Sequence, residues 1–96
     1  MYLEIVTPEA VLLSSEVDSV TVPGVEGEFQ MLNNHAPIVS VLEKGTVKVS
    51  THSAAIDANK LSKKFTRDSA DPKVLLLEID GGVVEMKDNK VIVLAD

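Results

Sequence analysis

Cysteine and tryptophan are absent from this 96-residue sequence, and phenylalanine and tyrosine together supply only three residues. Without cysteine the chain has no disulfide, no thiolate metal site and no cysteine nucleophile. With 3% aromatic residues it lacks a stacking platform for nucleic acid bases. These absences exclude thiol chemistry and argue against a nucleic acid partner.

Basic residues are missing from the first part of the chain. Residues 1–43 contain seven acids and no Lys or Arg, a charge of −7, whereas residues 44–96 hold nine basic and eight acidic residues, a charge of +1. An acidic half repels nucleic acid, whose binders need clustered Lys and Arg. The same charge suits a basic protein partner.

Long apolar runs and a signal peptide are also missing. No run approaches the roughly 18 apolar residues that span a bilayer, and Met1-Tyr2-Leu3 has no basic region before an apolar stretch. We therefore expect no direct membrane span. The prediction for domain organisation is a single domain, 1–96, because a chain of this length has no room for a second core.

Sequence signatures of catalysis, metal binding and phosphate binding are weak. His35 and His52 are the two histidines, and neither has a second metal ligand at a spacing such as HExxH. Ser14 and Ser15 could be paired with His35 as nucleophile and base, but no GxSxG nucleophile elbow surrounds these serines. The spacing of Gly24 and Gly27 fits a phosphate cradle, but Glu26 lies between them and would repel a phosphate. The sequence therefore predicts no catalytic, cofactor or metal site and no nucleotide binding.

Short apolar runs that alternate with polar residues are the dominant pattern of the chain. Val and Ile, which favour strands, recur between turn signals such as Pro23-Gly24, Asp80-Gly81-Gly82 and Asp88-Asn89. This pattern is typical of an all-β fold, and we predict a β-sandwich of two antiparallel sheets with about ten short strands. Eight apolar residues at alternating positions form the predicted core: Leu3, Ile5, Val20, Val22, Phe29, Val84, Met86 and Val93.

Residues 51–73 interrupt this rhythm. Ala54, Ala58, Leu61 and Phe65 recur at nearly helical spacing, which permits a helix, but a long polar hairpin fits as well. The segment is therefore an insertion whose structure and role the sequence leaves open.

One alternative class of protein also fits a small β-sandwich. Lipoyl and biotinyl carrier domains present a lysine at a hairpin tip, and Lys87 and Lys90 flank the expected turn at Asp88-Asn89. The carrier sequences Met-Lys-Met and Asp-Lys-Ala are not reproduced, so the preferred interpretation is a lysine that solvates a hairpin. A free-standing carrier or protein-binding sandwich stays open as the alternative function.

Four pieces of sequence occur in a characteristic order. They are Leu3–Glu9, Val20–Phe29, Asn34–Val39 and Gly81–Asp96, in which Gly27-Glu28-Phe29 precedes His35-Ala36-Pro37 and the chain closes on Val91-Ile92-Val93-Leu94-Ala95-Asp96. Together they resemble the amino-terminal domain of the epsilon subunit of F-type ATP synthases. The resemblance implies a sandwich of two five-stranded sheets, in agreement with the strand pattern.

This resemblance implies two partners. In that family the domain binds the gamma subunit of the central stalk and rests on the polar loops of the membrane c-ring. The implied function is that of a non-catalytic rotor subunit which couples gamma to the c-ring of a proton- or sodium-driven enzyme. Its implied location is peripheral, on the cytoplasmic side of the bacterial inner membrane.

The sequence departs from the family at its carboxyl end. Family members normally continue into two helices that inhibit ATP hydrolysis and in some cases bind ATP, whereas this sequence stops at Asp96. The expectation is that these two roles are absent. Whether the short chain is natural, and how the enzyme is inhibited, stay open.

The resemblance also assigns interface residues. Glu28 matches the acidic residue of the family near the c-ring loops, and Glu26 is expected beside it on one face of a strand. His35 matches the histidine of the family near gamma, with Ser40 and Val41 as further gamma-facing candidates. The plain interpretations are acids that solvate a turn and an imidazole hydrogen-bonded to the turn backbone.

Overall fold

The computed structural model describes residues 1–51 and 64–96. Strands dominate both ranges, and no helix occurs within them. The strands are β1 (Tyr2–Val6), β2 (Val11–Glu16), β3 (Ser19–Gly24), β4 (Gly27–Leu32), β5 (Ile38–Leu42), β6 (Gly45–Ser50), β7 (Phe65–Arg67), β8 (Val74–Ile79), β9 (Gly82–Lys87) and β10 (Lys90–Ala95).

The hydrogen-bonded order divides the ten strands into two halves. Sheet I runs β2-β1-β10-β9-β5, and sheet II runs β3-β6-β8-β7 with β4 paired to β3. In the described chain, pairing passes between β5 and β3 at one residue pair, Gly24 and Leu42. The predicted all-β sandwich is confirmed, and its two sheets join at this corner.

One pair of strands in sheet I is parallel. Tyr2 lies opposite Lys90 and Val6 opposite Leu94, so β1 and β10 run in the same direction. The other pairs are antiparallel. A hairpin joins only antiparallel neighbours, and β1 and β10 are separated by the rest of the chain. Within the described ranges, the parallel β1–β10 pair is therefore the one difference from the purely antiparallel sheets that turn signals predict.

Alternation along the strands sends one face of each sheet into a shared core. Leu3 and Ile5 of β1 are fully buried between partly exposed neighbours, as a period of two requires. Of the eight predicted core residues, seven are buried, and Phe29 is partly buried against the core. Phe29 is more exposed because, among the described strands, β4 pairs with β3 alone.

Tight turns stand where the sequence predicts them. Asp88 and Asn89 have φ angles of 52° and 61°, the left-handed backbone that a two-residue hairpin of matching twist needs. Gly82 starts β9 with φ of 152°, and a Cβ there would lie 2.1 Å from the carbonyl oxygen of Leu94. Glycine is therefore required where β9 meets β10.

The amino group of Met1 is buried at the start of sheet I. It donates to the carbonyl oxygen of Val17 at 3.2 Å and to the side-chain oxygen of Asn33. The carboxylate of Glu16 lies 3.3 Å away. A buried ammonium needs such partners, and together they fix the chain where β1 begins.

The insertion predicted at 51–73 is described at its two ends. Thr51 donates through its N–H and its hydroxyl to the carbonyl oxygen of Lys73, at 2.8 and 2.9 Å. Phe65 lies in β7, which pairs antiparallel with β8. The helix that the spacing permits falls mostly on residues 52–63, outside the described residues.

Candidate partner-docking surface

Apolar side chains form a row across the outer face of sheet I. Strand register sets Val41 opposite Val83, Val83 opposite Leu94, Leu94 opposite Val6, and Val6 opposite Val11. Four of these five are exposed, Val11 to 58%, Val41 to 57%, Leu94 to 53% and Val83 to 37%, and Val6 is half-buried. We call Val6, Val11, Val41, Val83 and Leu94 the outer apolar row.

A shift of register makes the end of this row possible. Between Ile5 and Val6 the pairing of β1 with β2 skips one residue. A bulge of this kind re-aims side chains. It leaves Leu12 and Leu13 both buried and turns Val11 outward, in line with Val6.

Polarity rises along the outer face away from this row. The next row mixes Val39 and Ile92 with two acids, Glu4 and Glu85. Beyond it lies a charged and aromatic row of Lys87, Lys90, Tyr2 and Glu16. The apolar part is thus concentrated at the end of sheet I that borders the corner between the sheets.

A groove runs along that corner. It has a volume of about 520 Å³ and is lined by residues 24–29 of the β3–β4 hairpin and 38–41 of β5. Val25 N–H donates to the carbonyl oxygen of Val41 at 3.3 Å. The hairpin tip is therefore fastened to β5 at one end of the groove. We call this feature the corner groove.

Both predicted c-ring residues line the corner groove. Glu26 lies in the turn between β3 and β4, and Glu28 lies in β4. The turn ends the strand before Glu26, so the two acids do not share the strand face that we expected. Glu28 forms an exposed ion pair with Lys48 at 3.7 Å, which contributes little to stability because solvent screens both charges.

The three predicted gamma-facing residues do not lie on one surface. Val41 belongs to the outer apolar row and also lines the corner groove. Ser40 is half-buried on the opposite side of β5, opposite the buried Val84, and lines the groove. His35 is exposed in the β4–β5 turn, where its Nδ1 lies 2.7 Å from the carbonyl oxygen of Ala36. It lines neither the row nor the groove.

Most of the outer apolar row is not apparent from the sequence. Val11, Val83 and Leu94 occupy outward positions of β2, β9 and β10. An apolar residue at an outward position is a usable signal within one strand. Five such residues form one row only in the observed register, which sequence alone does not provide.

The remaining sequence-based candidates are a metal site, a carrier lysine and a membrane span. The described residues contain no group of three or more His, Cys, Asp or Glu side chains that could hold a metal ion; His52 lies outside them. Lys90 pairs with Glu4 at 3.2 Å and lies 5.8 Å from the ring centre of Tyr2. The described part of the chain contains no helix that is long and apolar enough to cross a membrane.

The family model described as "ATP synthase, Delta/Epsilon chain, beta-sandwich domain" matches residues 1–96. The chain belongs to this family. The ATP synthase delta/epsilon sandwich therefore replaces the carrier sandwich as its classification. The prediction of a structural subunit rather than an enzyme agrees with this family.

Curated relatives support the same classification. The chain is 36% identical over 94 residues to the ATP synthase epsilon chain of Desulforamulus reducens, covering 98% of this chain and 57% of the relative. It is 38% identical over 96 residues to that of Campylobacter fetus, covering 100% of this chain and 60% of the relative. The chain thus spans less than two thirds of the length of these relatives.

Solved structures share the fold of this ATP synthase domain. A chain of the Euglena gracilis mitochondrial ATP synthase, solved with the c-ring, matches with a TM-score of 0.74 at 21% identity, covering 97% of this chain and 48% of that one. A chain of the Tetrahymena thermophila mitochondrial ATP synthase, in a structure of its central stalk and c-ring, matches with a TM-score of 0.71 at 18% identity, covering 98% and 61%.

Proposed function

We propose that this chain is a non-catalytic part of the rotor of an F-type ATP synthase, where it couples the gamma subunit to the c-ring. The family and the names of the relatives support this role. So does the assembly from which one structural neighbour comes, a central stalk with its c-ring. The coupling ion in this proposal is a proton or sodium.

The outer apolar row is the observation on which the gamma contact rests. Small soluble proteins seldom leave a contiguous apolar patch uncovered, and such patches mark protein interfaces. The row crosses five strands of one rigid sheet, so a partner bound to it is held by many neighbouring strands at once. A surface of this kind transmits torque without any moving part.

The acids of the corner groove are the proposed c-ring contact. Glu26 and Glu28 are exposed and lie close to the apolar row through Val41. The family's c-ring loops are polar and carry a basic residue, so carboxylates at this corner attract them. As rim charges they contribute about 0.2–1 kcal/mol per pair, and their larger effect is on orientation.

His35 and Ser40 have secondary roles in this proposal. The imidazole of His35 is exposed beside Pro37, within reach of a partner that covers the end of β5. Ser40 donates to the carbonyl oxygen of Val41 at 3.3 Å and shapes the groove wall. The assembled subunit is then peripheral to the membrane, on the cytoplasmic side, and performs no bond chemistry.

A pull-down from native membranes tests the proposal. We expect the tagged chain to recover the gamma and c subunits. Leu94 and Leu32 are exposed to 53% and 55%, and only Leu94 lies in the outer apolar row. Leu94→Ser should weaken gamma binding about tenfold, equivalent to about 1.4 kcal/mol, whereas Leu32→Ser should leave it within twofold.

The pull-down and the two variants, Leu94→Ser and Leu32→Ser, also define the results that would contradict the proposal. Recovery of neither gamma nor c from membranes would overturn the rotor assignment. Equal losses for Leu94→Ser and Leu32→Ser would instead show that the outer apolar row is not the gamma contact. Circular dichroism of both variants checks that each keeps its strand content.

A further inference from the structure

Along the corner groove, the edge of β5 has backbone groups for which the described residues supply no backbone partner. Glu43 N–H and the carbonyl oxygen of Val41 both bond to the β3–β4 hairpin, at Pro23 and Val25. Backbone groups of alternate residues in a strand point to the same side. The N–H and C=O of Val39, and the N–H of Val41, therefore face the groove, where the described chain provides no backbone partner.

The hairpin leaves this edge open because it turns away. β3 and β5 are paired at Gly24 and Leu42, and β3 ends at that point. β5 continues past the hairpin tip toward Ile38 with β9 on its other side. An open strand edge of this kind is a template for pairing with another chain.

The groove walls are chemically suited to an extended segment. Phe29 and Ile38 are partly buried against the core and give the groove an apolar wall, and Val25 adds an exposed apolar side chain at the tip. Glu26 and Glu28 supply carboxylates at the rim. Strand addition uses such a combination, in which main-chain bonds give affinity and side-chain pockets give specificity.

We propose that an extended segment of the gamma subunit adds to β5 as a sixth strand of sheet I. Its backbone pairs with Val39 and Val41, and its apolar side chains pack on Phe29 and Ile38, whereas Glu26 and Glu28 at the rim remain for the c-ring loops. This inference rests on the proposed function, because gamma is the partner assigned to the outer apolar row. The row ends at Val41, so a partner on the row reaches the open edge directly.

Charge argues against a second copy of this chain as the occupant. Two β5 edges paired around a two-fold axis would bring the Glu26 and Glu28 of both copies together. Like charges in one interface oppose association. A c-ring loop fits less well, because a loop tip offers no extended backbone to the edge.

Proline substitution separates strand addition from side-chain packing. Val39→Pro removes the N–H that faces the groove, and proline is tolerated at an edge position whose N–H is not in the ladder. Val39→Ala keeps the N–H and trims the side chain. We expect Val39→Pro to bind purified gamma about tenfold more weakly than Val39→Ala, with unchanged circular dichroism.

Amide hydrogen exchange measured by nuclear magnetic resonance gives a second readout. In the free chain the amides of Val39 and Val41 should exchange fast, and bound gamma should slow both by about a hundredfold or more, as for a paired strand. The amide of Ser40 faces β9 by the same alternation and serves as the control, protected with or without gamma.

The outcomes distinguish this inference from the proposed function. If gamma binds but Val39→Pro equals Val39→Ala and the two amides stay unprotected, strand addition is wrong and the rotor role stands. If gamma does not bind the unaltered chain, the rotor role fails and the occupant is wrong with it. Protection of both amides by self-association without gamma, seen as a dimer in sedimentation, would overturn gamma as the occupant.

Discussion

Gly24 and Leu42 form the pair at which hydrogen bonding passes from sheet II to sheet I. A Cβ at residue 24 would lie 2.8 Å from the carbonyl oxygen of Gly27 and 2.8 Å from the ring of Phe29. We expect Gly24→Ala to lower the free energy of unfolding by about 1–3 kcal/mol, the usual cost of overpacking. Urea denaturation measures this change.

Val25→Ala is the control for that substitution. Val25 is the next residue, is exposed to 53%, and has room for a smaller side chain. Its effect should stay within about 0.5 kcal/mol, as for other surface changes. A Gly24→Ala protein as stable as the unaltered chain would show that the corner between the sheets is not tightly packed.

Asn33 holds the buried amino group of Met1. Replacing it with alanine leaves the ammonium with one acceptor fewer, and we expect a loss of about 1–3 kcal/mol in the free energy of unfolding. Asn33→Asp keeps an acceptor oxygen at the same position and should recover most of the loss. Equal destabilisation by both variants would mean that Asn33 acts through its own packing and not through Met1.

Charge reversal at Glu26 and Glu28 should weaken assembly with the c-ring. We expect the defect to be larger at low salt, because the screening length is about 10 Å at 0.1 M ionic strength and grows as salt is removed. Glu9→Lys with Glu43→Lys changes the net charge equally at exposed acids that do not line the corner groove. Indistinguishable salt dependence for the two double variants would contradict a local contact.

Nucleotide binding should be absent from this 96-residue chain. The turn with phosphate-cradle spacing has Glu26 exposed within it and Glu28 directly after it. Two carboxylates repel the phosphates of Mg-ATP. Calorimetric titration should give no heat beyond dilution, and micromolar binding would refute the prediction.

Sequence predicts the fold of this protein better than its surface. The buried pairs Leu3 with Ile5 and Val84 with Met86 follow a period of two that is visible in each strand alone. The turn at Asp88 and Asn89 is set by a local backbone demand. Such features depend on neighbours in sequence, so they are available before any strand is paired.

The docking surface depends on pairing between distant strands. Val41, Val83 and Leu94 become one row only when β5, β9 and β10 pair in the observed register. Glu28 was identified through a family resemblance, and its position at the rim of the corner groove follows from the hairpin folding back beside β5. Pairing across the chain is the information that composition and periodicity lack.

The position of β10 has a consequence for folding during synthesis. β10 comes after the nine other described strands in sequence, yet it lies between β1 and β9 in sheet I. Until residues 90–95 leave the ribosome, the β1–β2 hairpin has no ladder that connects it to β9 and β5. Long-range pairing of this kind folds late and leaves strand edges open for longer. The nascent chain therefore exposes the edges of β1 and β9, and both become paired at the same time, when β10 inserts between them.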